Sequence, residues 1–164
     1  MADNTSPIVE ELEVAAERAA VFRALTEAPE IERWWATRAS SDPKSGGRFR
    51  YEWEFPDAPE RNHVQSGTYD TLEDGDSVAY PWKVGPETTK VRFTFAGPES
   101  GPTRVRLEHT GWTASLGDAR ENHEQGWRMF LRNLKSVLEG GDDARAATTG
   151  MRVPTIDGTR LMRE

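Results

Sequence analysis

Residues 48–55 read RFRYEWEF, and the alternation is strict: Phe49, Tyr51, Trp53 and Phe55 fall on one parity, Arg48, Arg50, Glu52 and Glu54 on the other. Side chains of a strand leave on opposite faces with a period of two, so this segment has one buried face and one solvated face. Such a strand must lay its aromatic face against another layer. The same pattern recurs downstream. TTKVRFTFAG turns Val91, Phe93 and Phe95 inward, and TRVRLEHTGW puts Val105, Leu107 and His109 on one parity. HVQSGTYDTLEDGDSVAYPWKV reads as two strands around the turn Glu73-Asp74-Gly75-Asp76. Short strands joined by tight turns imply an antiparallel meander.

The layer that covers this sheet lies near the end of the chain. His123, Trp127, Phe130, Leu131, Leu134 and Leu138 recur at three- and four-residue steps, with Arg128, Arg132 and Lys135 on the other side. Asp118 and Glu121 have the spacing of a capping box, and Gly140-Gly141 supplies the left-handed stop. Upstream, IVEELEVAA reads as a first strand with Ile8, Leu12 and Val14 inward and Glu10 interrupting that row. Val21, Phe22 and Leu25 then follow helical spacing, and Pro29 ends that helix or starts a second one carrying Ile31, Trp34 and Trp35. Trp34 and Trp35 are adjacent, so one of them is expected at the surface as an entrance or interface residue. The expected architecture is α+β: a curved antiparallel sheet of about six or seven strands wrapped around a long C-terminal helix, with two short helices after the first strand. Residues 1–7 are expected to be a flexible lead, 8–141 the domain, and 142–164 a polar tail that is mobile or hugs the surface.

Composition narrows the functions. The 164 residues suffice for one domain with its own core. The absence of cysteine excludes thiol nucleophiles and Cys-ligated zinc and fits a reducing compartment. A formal charge of −7 opposes general nucleic-acid binding, which needs a basic face. The opening residues show neither a basic n-region nor an apolar h-region, and no apolar run is long enough to span a bilayer. A cytoplasmic protein is therefore expected. HEQGW lacks the second histidine of a zincin, since Trp127 stands four residues after His123. No nucleophile elbow, Walker loop or dinucleotide-binding glycine motif occurs, and neither a metal nor a cofactor is expected.

VFRALTEAPEIERWW, GGRF, RVRLEHTGW and HEQGWRMFLRNLKSVLEGG, in this order and spacing, resemble the activator of heat shock protein 90 ATPase homologue family. That family belongs to the SRPBCC (START-like) superfamily with its helix-grip fold. The resemblance covers roughly Ile8 to Gly141, and the Gly-Trp pair of the last motif is its most specific part. It implies a cavity between the long helix and the sheet, used across the superfamily for lipids, polyketides, hormones and other apolar ligands. The eukaryotic activators carry an additional N-terminal domain that makes much of the chaperone contact, and this chain is expected to lack it.

Three kinds of role follow. A small apolar or aromatic ligand would be held by Trp35, Tyr51, Trp53, Trp82, Phe93, Phe95, Leu107, His109, His123, Trp127, Phe130, Leu131 and Leu134, unless these side chains simply fill the core. A chaperone contact through an exposed surface is the second role, and a homodimer through a sheet edge or the Trp34/Trp35 region is compatible with either. The third is an enzyme of the cyclase, dehydratase or hydrolase kind, in which His109 would move a proton. Against that stands the ordinary reading of His109 as a buried residue hydrogen-bonded to a backbone carbonyl, with a bridge to the long helix as an option. His123 and Glu124 are expected to be solvated, His63 to have no functional role, and the Arg and Glu residues of the outer sheet face to pair across strands.

Overall fold

In chain order the elements are β1 (Ile8–Val14), α1 (Arg18–Ala24), α2 (Ala28–Trp34), β2 (Arg38–Ser41), β3 (Arg48–Trp53), β4 (His63–Thr68), β5 (Thr71–Glu73), β6 (Ser77–Val84), β7 (Glu87–Ala96), β8 (Thr103–Thr110), α3 (Ala119–Leu138) and α4 (Arg145–Thr149). They are seen in a computed structural model that describes residues 4–153. The strands form two antiparallel ladders, β1-β8-β7-β6-β5 and β2-β3-β4. β2 is the strand that the expected count omits, because its residues, RASS, carry no apolar alternation. The segment expected as one strand from His63 to Glu73 is two strands. The chain passes between ladders at Tyr69-Asp70: Tyr69 N–H donates to Gly47 O (2.9 Å), and Asp70 N–H donates to Ala79 O (2.9 Å). A Cβ at Gly47 would lie 2.0 Å from Asp42 O, so this close approach requires glycine.

The ladders are joined by a side chain. Gln65 on β4 accepts from Lys83 N–H on β6 (2.9 Å) and donates to Lys83 O (2.7 Å), so its amide stands where a backbone bridge would be. The inner faces carry the aromatic residues. Phe49, Tyr51, Trp53, Tyr80, Trp82, Phe93 and Phe95 are all buried, as the alternation predicts. On the outer face Arg106 pairs across strands with Glu11 (3.0 Å), whereas its pair with Glu108 (3.1 Å) and that of Arg50 with Glu52 (3.3 Å) run along a single strand, contrary to the expected cross-strand pairing. These pairs are exposed and each is worth at most about 1 kcal/mol. Arg48 and Arg104 form no ion pair among the described residues.

Pro29 lies in the first turn of α2, where its missing N–H costs nothing. The helix ends at Trp34, and Trp35 leaves it at φ −122°, ψ −66°. That departure lets adjacent tryptophans share the core: the two rings stack at 5.2 Å and 13°, and they are 0% and 1% exposed. The expectation that one of them would be an entrance or interface residue is thus overturned.

α3 buries Trp127, Leu131 and Leu134, and its C-terminus closes as expected: Gly140 has φ +84°, and Gly141 N–H donates to Ser136 O (2.7 Å). The capping box does not form. Asp118 has helical φ and ψ and its side chain makes no cap bond. Glu10, the polar residue of the inward row of β1, reaches Arg128 of α3 (3.1 Å).

The segment after Gly141 differs most from expectation. Residues 142–153 pack into the domain, and residues 154–164 lie outside the described residues. Arg145, with a side chain 0% exposed, forks onto Asp143 (2.7 Å) and donates to Ala36 O (3.0 Å) and Glu32 O (2.8 Å) at the end of α2. Asn133 of α3 accepts from Ala144 N–H (2.8 Å) and donates to Trp34 O (2.8 Å), while Met151 and Val153 are 2% exposed. A polar, aperiodic sequence concealed this packing because the buried group is a guanidinium. Arg145→Ala strands a carboxylate and two carbonyls, so it should destabilise the fold by about 3 kcal/mol in urea denaturation. An unchanged midpoint would mean that the segment is not part of the domain's stability.

Candidate functional site

Between α3 and the inner face of the sheets lies a cavity of about 410 Å³, open to solvent on one side. It falls in the range of small-molecule sites, on the order of 300–1,000 Å³. Trp35 comes to it from the end of α2, Trp53 from the end of β3, His63 from β4 and Trp82 from β6. Phe55 keeps the inward parity of β3 after the strand has ended, and Arg61 lies over its ring at 4.5 Å. α3 contributes His123, Gly126, Trp127 and Phe130, spaced as one helical face, together with Asn122.

The expected ligand residues divide. Trp35, Trp53, Trp82, His123, Trp127 and Phe130 line the cavity. Tyr51, Phe93, Phe95, Leu107, Leu131 and Leu134 do not border it and pack in the core instead. Periodicity finds the buried face but not the part of that face left uncovered. Phe55, Arg61, His63, Asn122 and Gly126 also line the cavity. The first three surround a loop whose path has no periodic signal. Gly126 did leave a signal: glycine inside a helix costs about 1 kcal/mol relative to alanine, so a reason for it was to be sought. A Cβ there would meet nothing within 4 Å. The missing side chain is open space in the cavity wall.

The histidines are fixed by their neighbours. Trp127 Nε1–H donates to His109 Nδ1 (3.0 Å), so the His109 proton sits on Nε2 and faces Thr89 Oγ1 (2.6 Å), which in turn donates to Trp82 O (2.9 Å). Trp82 Nε1–H donates to His123 Nε2 (3.1 Å), leaving His123 Nδ1–H for Ala119 O (2.8 Å). Lys83 fixes the orientation of the Gln65 amide, whose Nε2 therefore donates to His63 Nε2 (2.8 Å), and the His63 proton is on Nδ1. Protonating any of the three would set donor against donor. Burial, reinforced by repulsion from His123, lowers His109 to about 3. His63 is lowered by burial against its neighbours and by His123, and His123 by burial, opposed by its bond to Ala119.

His109 is 0% exposed, has both nitrogens engaged and does not border the cavity. It bridges helix and sheet, but through the side chains of Trp127 and Thr89 where the ordinary reading expected a backbone carbonyl. His123, for which both the cavity border and solvent were open, is in the wall. Glu124 instead pairs with Arg120 and Arg128, each at 3.5 Å. Among the described residues no group of acidic or histidine side chains is arranged to hold a metal, and no helix is long and apolar enough to cross a membrane.

Comparison with known proteins agrees with this architecture. The family described as Activator of Hsp90 ATPase homolog 1-like protein matches residues 15–139. The chain belongs to this family. Three AHSA1-type or related structures illustrate the shared fold. Protein MLL2253 from Mesorhizobium loti has a TM-score of 0.70 at 23% identity, over 84% of this chain and 99% of that one. An AHSA1-like protein from Aeromonas hydrophila has 0.68 at 23%, over 82% and 92%. The Aha1 dimer from Colwellia psychrerythraea has 0.69 at 20%, over 84% and 98%. At these identities the likeness is one of fold: the SRPBCC helix-grip arrangement of sheet, short helices and long C-terminal helix. No curated protein matches the sequence.

In this AHSA1-like domain the locked imidazoles make stability depend on pH. Each binds a proton less readily folded than unfolded, so stability is complete above the ordinary value of 6.5 and falls as pH drops below it, for His109 down to about 3. His109 alone should contribute about 1.4 kcal/mol per pH unit in that window. Urea midpoints should therefore decline between pH 7 and pH 5, before carboxylates titrate, and a flat profile would contradict the assigned tautomers.

Proposed function

We propose that this AHSA1-like domain is a cytoplasmic binding protein for a small, flat, largely apolar molecule held in the cavity between α3 and the sheets. The observation that carries this reading is Gly126: a residue unfavourable inside a helix stands where a side chain would occupy the cavity. The rings around it support the same reading. Trp35 packs against Trp53 (5.4 Å), Trp82 (6.0 Å) and Trp127 (5.5 Å), and such a wall buries a flat ligand by area and by ring stacking. Catalysis through His109 gains no support from its position, because its basic nitrogen is already hydrogen-bonded and away from the cavity.

The family's name favours a second reading, contact with a chaperone of the heat shock protein 90 class. That contact would use an outer surface and would appear as stimulation of the chaperone's ATPase rate on titration with this protein. Trp34 and Trp35, being buried, are not available to it or to a homodimer; the outer edge of β1, with Val9 41% exposed, is.

Titration of the protein with an environment-sensitive apolar fluorophore, read by energy transfer from tryptophan, tests the cavity. Saturable one-to-one binding is expected in the wild type. Gly126→Leu should abolish it while leaving the fold as stable or more so, since leucine favours the helix. Equal binding by the variant would refute the cavity as the site. The same variant should leave any chaperone stimulation intact.

A further inference from the structure

The hydrogen-bonding capacity of the cavity wall is one-sided. The indole N–H of Trp34 is taken by Ala24 O (2.7 Å), that of Trp53 by Trp35 O (3.0 Å), that of Trp82 by His123, that of Trp112 by His109 O (3.0 Å) and that of Trp127 by His109. The remaining indole, Trp35, has no partner for its N–H among the described residues, and it is the most deeply buried residue of the wall. His63 accepts from Gln65 through Nε2, so its proton is on Nδ1, and that donor also has no partner among the described residues.

The charge is one-sided as well. The whole chain has an acidic excess, with 28 Asp and Glu against 21 Lys and Arg, yet no Asp or Glu lines the cavity. Arg61 lines it, sits over the Phe55 ring with its Cζ 4.5 Å from the centroid and donates one long hydrogen bond to Thr149 O (3.4 Å). It pairs with no carboxylate among the described residues. A guanidinium braced on a ring keeps a planar set of donors suited to a two-pronged bond with an oxyanion. The neighbouring imidazoles hold lone pairs already in use and add no competing negative charge.

We propose that the ligand of this cavity is an aromatic carboxylate, its ring system among Trp35, Trp53, Trp82 and Trp127 and its anionic group on Arg61. This assignment rests on the cavity being the binding site. Further oxygens on the ring system would find the N–H groups of two lining residues without a protein partner among the described residues, Trp35 in the wall and His63 at the exposed rim. A cationic aromatic, which an all-aromatic cage would otherwise suit, is opposed by Arg61 and finds no acid to neutralise it.

Naphthalene-2-carboxylate and its neutral relative naphthalene-2-carboxamide provide the test, titrated calorimetrically at pH 7.5 and low salt into wild type, Arg61→Gln and Gly126→Leu. The carboxylate should bind the wild type about tenfold or more tighter than the amide, as expected for a hydrogen bond to a charged group. In Arg61→Gln that margin should collapse while amide affinity stays the same. Equal affinity for the two probes in the wild type, or a margin that survives Arg61→Gln, would overturn the proposal while leaving the cavity standing. Absence of binding by both probes, or undiminished binding of both to Gly126→Leu, would overturn the cavity reading and this proposal with it. Circular dichroism and urea midpoints of each variant separate loss of fold from loss of binding.

Discussion

Two hydrogen bonds from indole to imidazole tie the long helix to the sheet, and they run in opposite directions. Trp127 on α3 donates to His109 on β8, and Trp82 on β6 donates to His123 on α3. Each bond spends the polar edge of a large ring on the protein, which leaves carbon to face the space between helix and sheet. A buried indole N–H left unmatched costs on the order of 1–3 kcal/mol, and here the imidazoles supply the acceptors for Trp82 and Trp127. Their low basicity follows from burial, which disfavours the charged imidazole, reinforced at His109 by repulsion from His123. His109, which at first suggested proton transfer, instead ties the helix to the sheet behind the cavity wall.

Much of the fold was legible because period reports burial directly. The alternation in RFRYEWEF and its successors and the three-four spacing of α3 identified the inner faces: the strand residues named for those segments are buried apart from Phe55, and on α3 Trp127, Leu131 and Leu134 are buried while His123, Phe130 and Leu138 are half-buried. What period does not report is the third dimension of the packing. Phe93, Leu107 and Leu134 share the apolar faces with Trp82 and Trp127, yet only the latter two border empty space. That difference depends on where the loop from Phe55 to Arg61 runs and on an absent side chain at position 126. Glycine was the legible clue, and apolar-residue counting passed over it.

The C-terminal segment escaped for a different reason. Hydropathy marks residues 142–153 as solvent-exposed, and for most chains a guanidinium or a carboxylate deserves that label. Arg145 is buried because three acceptors were waiting for it: the Asp143 carboxylate and the carbonyls of Glu32 and Ala36 left open by the end of α2. Asn133, a polar residue on the apolar side of α3, meets the same segment. Specific pairing of this kind depends on geometry between distant residues, and a single sequence does not display it.

Gln65 joins the two ladders with its side chain where other sheets use main chain. A backbone pair is indifferent to residue type, whereas this junction exists only while position 65 carries a primary amide of the right reach. This amide is a residue-specific link between β4 and β6, added to the backbone passage at Tyr69-Asp70 and to the ring contacts between the ladders. The hollow thus draws on two kinds of residue: an amide that helps join the ladders behind it, and rings that make up its surface.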